Sequence, residues 1–241
     1  MSIKQLVEIK KITGDFEILT GMHIGSGSDE IKIGGVDSSV IKDQFERPYI
    51  PGSSIKGKIR SLLELTTGRI TNGKPFSSKN ASDPLSRIFG NGNKEESYDG
   101  GPTRAIFCDA YLKENNDLDL EVKAEVAIDR ITGAAAQSGP RHIERVPRGA
   151  LFPFEIFYKI YSCDDDNDTN CADQQNFEML LLGIKLLELD CLGGSGSRGY
   201  GRVKLSDVKI DSYFNTSGKP TTTFDFSKLD LSTGLNKFIL K

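Results

Sequence analysis

Two stretches of the chain place apolar residues at helical spacing, and that limits the fold more than any other feature. In NFEMLLLGIKLLEL (176–189), Phe177, Leu180, Leu181, Ile184 and Leu187 form one stripe. In SSIKGKIRSLLELT (53–66), Ile55, Ile59, Leu62, Leu63 and Thr66 share a face, with Ser53 or Ser54 placed to cap the start. The segments 3–24, 104–112, 123–132, 151–161 and 200–210 read as strands, the first broken into one or two by Thr-Gly pairs at 13–14 and 20–21. Between them lie an irregular lid at about 67–103, ordered only near 85–90, and a two-armed loop at about 123–150. A polar tail comes after residue 210. The order β-α-β-β-α-β with large insertions predicts an α+β, ferredoxin-like (RRM-like) palm in one domain, 1–241.

Composition bounds the function. At 37% hydrophobic and 27% charged, the 241-residue chain can bury a sizeable core. No run approaches the roughly 18 apolar residues of a membrane span, and the first residues lack a secretion-signal core, so a cytoplasmic protein without membrane attachment is expected. Cys108, Cys163, Cys171 and Cys191 form no C-x-x-C pair, and with only two histidines a structural zinc site is poorly supported. The acidic DDDNDTN between Cys163 and Cys171 lacks calcium-loop spacing and reads as a solvated loop.

The net charge of −3 argues against a uniformly basic surface, yet the charges are segregated. Residues 52–60 hold Lys56, Lys58 and Arg60 with no acid, and residues 193–204 hold Arg198, Arg202 and Lys204 with none. Both stretches imitate phosphate loops. Gly194, Gly196 and Gly199 spell G-x-G-x-x-G, but a helix enters and a strand leaves, the reverse of a dinucleotide fingerprint. GSSIKGK (52–58) fits G-x-x-x-x-G-K, but Ile59 stands where magnesium needs Ser or Thr. What remains is small side chains, exposed N–H groups and adjacent bases, a set that can hold the phosphates of any polymer. Plain turn chemistry explains the glycines equally well, and a solvated helix face explains Lys56 and Arg60.

Six motifs in order carry a family resemblance over about residues 20–210: TGMHIGSGSDEIKIGGVDSSVIKD, YIPGSSIKGKIRSLLE, SRIFGN, EVAIDRITGAA, RHIERV and LLELDCLGGSGSRGYGRV. Together they resemble the backbone subunits of type III CRISPR effector complexes, of the RAMP superfamily, and most of all the repeated backbone subunit of the type III-A (Csm) complex. The resemblance implies a palm whose copies polymerise along a guide RNA, a hairpin thumb that kinks guide and target, and target RNA cut at regular intervals beside each thumb. It implies as partners the guide RNA, the single-stranded target RNA, further copies of the chain and other type III effector subunits. It implies a divalent metal, Mg2+ first with Mn2+ as the alternative, held by Asp37, which is also the implied catalytic residue. RNA contacts are expected from His23, Ser53, Ser54, Lys56, Lys58, Arg60, Arg130, Gly194, Ser195, Gly196, Ser197 and Arg198.

A lone aspartate can suffice, because RNA carries its own nucleophile in the neighbouring 2′-hydroxyl and magnesium keeps several waters. On the residues alone, Asp37 reads as an Asx-turn residue in a Gly-Ser loop, and it is the family resemblance that makes it the catalytic candidate. Two alternatives stay open: an RNA scaffold without cleavage, and a metal-independent guide-processing ribonuclease with His23 as general base or acid. His142, in PRHIERVPRG, is assigned to the thumb's base or loop and given no chemistry.

Overall fold

Strand β1 (Ile3–Ile18) runs unbroken through the Thr13-Gly14 pair expected to end it. A Cβ at Gly14 would sit 2.9 Å from the Phe154 ring, which stacks on Phe16 at 4.4 Å, so this glycine makes room for core packing. The chain is described, in a computed structural model, over residues 3–27, 36–92, 98–114, 118–136, 139–163, 172–216 and 225–239. The acidic run after Cys163, and parts of the Asp37 loop, lid and thumb, fall outside these residues.

Four strands form an antiparallel sheet: β1, β3 (Ala105–Phe107), β7 (Leu151–Cys163) and β8 (Val203–Asn215), ordered β3-β7-β1-β8. Helix α1 (Gly52–Thr66) lies between β1 and β3 in sequence, and α3 (Asp173–Leu186) between β7 and β8. With these two helices the order is that of the ferredoxin-like plan. Alternate residues of the sheet (Ile12, Phe16, Phe152, Phe154, Ile156, Tyr158, Ile160) are buried, as are Ile55, Ile59 and Leu63 of α1 and Phe177, Leu180, Leu181 and Ile184 of α3. The helices cross at Gly183, where a Cβ would stand 2.6 Å from Leu63 Cδ1.

Other elements also differ from the expectations of the sequence; the strand expected at 123–132 spans only Glu121–Glu125. The segment 104–112 splits, because Asp109 leaves the strand to accept the N–H of Gly52 at 2.7 Å and so caps α1. Its second piece, β4 (Ala110–Tyr111), pairs with β2 (Tyr49–Ile50). Neither Ser53 nor Ser54 caps the helix; Pro51 occupies that position. The tail folds: α4 (Leu231–Asn236) buries Leu235, and Phe238 comes after it into the core against α3. A Cβ at Gly234 would stand 2.9 Å from Leu182 Cδ1, so the tail packs on a residue off the α3 stripe.

The lid carries α2 (Pro84–Phe89), capped by Asp83, which accepts the Ser86 N–H at 2.9 Å. An ion pair with no exposed surface, Arg104 Nε to Asp173 Oδ1 at 3.1 Å, ties the end of the lid to the start of α3. Burial pushes the Asp173 carboxyl up to about 6 in spite of that arginine. The thumb rises from β5 (Glu121–Glu125) and β6 (Arg141–Arg145), an antiparallel pair. Among the described residues no helix is long and apolar enough to cross a membrane.

Candidate nucleic-acid interface

The Asp37 loop, the thumb root and the glycine-rich loop, far apart in sequence, meet around one histidine. His23 Nδ1 lies 2.7 Å from the carbonyl oxygen of Glu144 on β6, which can only accept, so this nitrogen carries the proton. His23 Nε2 hydrogen-bonds the Ser38 hydroxyl at 3.1 Å. Its own carbonyl accepts the N–H of Gly194 at 2.9 Å. A Cβ at Gly193 would lie 2.3 Å from that same carbonyl oxygen, so glycine is required there. His23 thus holds the other motifs in place, and with both ring nitrogens engaged it is poorly set up as a free base.

Asp37 sits on a segment that runs beside β6. Its N–H donates to the His142 carbonyl at 2.9 Å, and the Glu144 N–H donates to the Ser38 carbonyl at 3.0 Å. The His142 N–H donates to Asp37 Oδ2 at 2.5 Å. The carboxylate stays 57% exposed, and Oδ1 has no partner among the described residues. The acid is therefore fixed at one oxygen and presented at the other. Glu144, given no role from the sequence, anchors the stretch just beyond Ser38: Oε2 accepts the Val40 N–H at 2.9 Å and Oε1 meets Lys42 Nζ at 3.1 Å. Alternation along RHIERV was the signal, since it places Glu144 on the same face of β6 as His142.

The glycine-rich loop is built for close approach. Ser195 is left-handed (φ 59°), as is Gly199 (φ 85°), and a short 3-10 turn joins them. That geometry leaves the N–H groups of Ser195, Gly196 and Ser197 without an acceptor among the described residues. Consecutive open N–H groups around a left-handed residue make an anion-binding concavity. Arg198 beside them is exposed, bonded to Ser195 Oγ at 2.6 Å and to Glu125 of the thumb root at 3.2 Å. Glu125 also accepts from the buried Tyr200 hydroxyl at 2.7 Å; that bond, with Lys123 and Arg198, holds its carboxyl below the usual range.

The start of α1 is different. Arg60, expected to touch RNA, is spent inside the fold: its guanidinium bonds Glu64 at 2.7 Å and the carbonyls of Phe76 and Gly90 in the lid. Lys58 pairs with Asp190 at 3.0 Å, at the entrance to the glycine-rich loop. The Gly52 N–H is taken by Asp109, and a Cβ at Gly52 would lie 2.3 Å from the Phe107 carbonyl oxygen, so that glycine serves packing. Ser53 is exposed and Ser54 half-buried. Among the described residues Lys56 forms no ion pair, and burial, with Arg60 adding to it, lowers its pKa. At the thumb tip Arg130 is exposed and bonds the Ile128 carbonyl at 3.2 Å, beside Ile131, which is 96% exposed.

Among the described residues no three His, Cys, Asp or Glu side chains gather into a closed metal site. The donors fit a divalent cation of the open kind, carried by one presented carboxylate and completed by water and a ligand's phosphate.

The RAMP superfamily model matches residues 15–204. The CRISPR system Cms endoribonuclease Csm3 of Methanothermobacter thermautotrophicus is 40% identical, over 92% of this chain and 96% of that protein. The Csm3 of Streptococcus thermophilus is 42% identical, over 85% of this chain and 90% of its own. The Csm3 of Mycobacterium tuberculosis is 39% identical, over 83% and 87%. A crystal structure of a Csm3–Csm4 subcomplex of the type III-A CRISPR–Cas interference complex superposes with a TM-score of 0.57 at 28% identity, covering 97% of this chain and 98% of that one. With the palm, the thumb and the loops of one face accounted for, the chain belongs to the RAMP superfamily, in its Csm3 family.

Proposed function

We propose that the chain is an endoribonuclease subunit of a type III-A CRISPR ribonucleoprotein, binding guide RNA in repeated copies beside other effector subunits and cutting guide-paired target RNA next to each thumb. The observation that carries this reading is the convergence on one face of a presented carboxylate, an open N–H concavity and a thumb with an apolar tip. Family membership supplies the chemistry to expect; that convergence supplies a place for it.

The residues divide the work. Ser195, Gly196 and Ser197 receive a backbone phosphate through their N–H groups, with Arg198 adding charge and Lys56 a second contact. Ile131 and Arg130 at the thumb tip enter the base stack and splay a step, which brings the 2′-oxygen, phosphorus and 5′-oxygen toward one line. The 2′-oxygen bonds to phosphorus, the bond to the 5′-oxygen breaks, and the proton leaves the first and arrives at the second. Asp37 would hold the divalent cation, which when bound neutralises charge on the phosphate. Sequence specificity rests with base pairing, because the protein contacts are to backbone and shape.

The test is cleavage of a guide-matched RNA by the assembled ribonucleoprotein with and without Mg2+. Asp37→Ala is expected to leave assembly and target binding intact and to abolish the evenly spaced cuts. Cutting at the wild-type rate would remove Asp37 from the reaction, and cuts that persist in a chelator would remove the metal.

A further inference from the structure

His142 has no part in the reaction just proposed, yet its imidazole approaches the presented acid. Nδ1 lies 3.8 Å from Asp37 Oδ2. That is well beyond the ~2.7–2.9 Å of a charge-assisted hydrogen bond, so the two groups approach without bonding each other. The approach is fixed by the backbone: the two residues exchange N–H bonds, and pairing with β5 sets residue 142 opposite the small Ala124. Both side chains stay about half exposed, at 49% and 57%. His23, the other histidine, has both ring nitrogens engaged; the ring of His142 has no partner but Asp37 among the described residues.

We propose that His142 and Asp37 form a two-donor site for a borderline first-row divalent cation of the Zn2+ class, bound in preference to Mg2+. Two donors each ~2.1 Å from one tetrahedral cation stand about 3.4 Å apart, a few tenths of an ångström from the 3.8 Å between Nδ1 and Oδ2, the oxygen that also accepts the His142 N–H. Imidazole suits such cations, whereas Mg2+ takes oxygen donors, so the histidine sets the preference. The His142 N–H on Oδ2 orients the carboxylate as an outer-shell bond does for a metal ligand. The remaining positions fall to water and RNA phosphate, which leaves the site open to substrate.

The inference rests on the reading of Asp37 as the metal-bearing acid, and its test is read without catalysis. The full chain, labelled with 15N-histidine, is titrated with Zn2+ and separately with Mg2+ while the ring nitrogens are followed by NMR. His142→Gln identifies the His142 signals. Zn2+ is expected to move Nδ1 of His142, leave the His23 nitrogens in place and bind at least about tenfold more weakly in Asp37→Asn, with Mg2+ moving neither ring. Unmoved His142 nitrogens at saturating Zn2+ overturn the proposal. So does a shift that belongs to His23, or one of unchanged affinity in Asp37→Asn. Should Asp37→Asn still cut RNA in Mg2+, the proposed function fails instead, and the cleavage assay shows that separately from the NMR.

Discussion

The start of α1 and the glycine-rich loop carry the same local signature, glycines and small residues followed by bases with no nearby acid, and the fold puts them to different uses. At α1 two of the three bases are paired: Asp190 takes Lys58 and Glu64, one turn on, takes Arg60, while Asp109 caps the helix. In the glycine-rich loop the consecutive N–H groups of residues 195–197 have no acceptor among the described residues, and Arg198 stays exposed although Glu125 pairs with it. A count of charges within a ten-residue window cannot see partners that arrive through the fold. Spending bases on structure in one turn and presenting donors in the other lets the helix buttress the loop it adjoins.

Arg60→Ala should give the largest effect and break the comparison most sharply. A mostly buried arginine that joins Glu64 to two lid carbonyls is removed, so stability should fall by about 3 kcal/mol, read in a denaturant titration. The salt dependence of RNA binding should not change, and a flatter slope would return Arg60 to the interface. Arg198→Ala should do the reverse. Its stability cost should stay within about 1 kcal/mol because the ion pair with Glu125 is exposed. The slope of log affinity against log salt should flatten by about 0.7, the loss of one single-strand phosphate contact.

Lys56→Ala should flatten the slope by a similar or smaller amount, about 0.7 at most, and should do so without sequence preference. Because burial and Arg60 lower the Lys56 pKa, the free protein loses this charge at a lower pH than an ordinary lysine would. Its contribution to RNA affinity should be present at neutral pH and fade as pH rises through that lowered value, a dependence absent from Lys56→Ala. The smallest change belongs to Lys58→Ala, whose half-exposed pair with Asp190 should leave both stability and salt slope nearly as they were. A slope change as large as that of Arg198→Ala would erase the distinction between the two turns.

The palm was legible in the sequence because its signals are local and periodic. The α3 stripe at Phe177, Leu180, Leu181 and Ile184 and the alternation of β7 report burial directly. What stayed hidden depends on pairings across long separations. Asp109 interrupts a good strand in order to cap a helix 57 residues away, and Gly14 continues a strand because Phe154 needs the space. The candidate site shows the same division. Asp37, His23 and the glycine-rich loop could be placed by motif order, while the roles of Glu144 and Ser38, and the approach of His142 to Asp37, exist only once β6 lies beside the Asp37 segment.

The most direct measurement is a structure of the chain assembled on a guide paired with an uncleavable target. The account predicts a phosphate on the N–H groups of Ser195, Gly196 and Ser197, and the scissile phosphate beside the Asp37 carboxylate at a splayed step under the thumb. RNA running along another face, with Asp37 turned away from every phosphate, would contradict it.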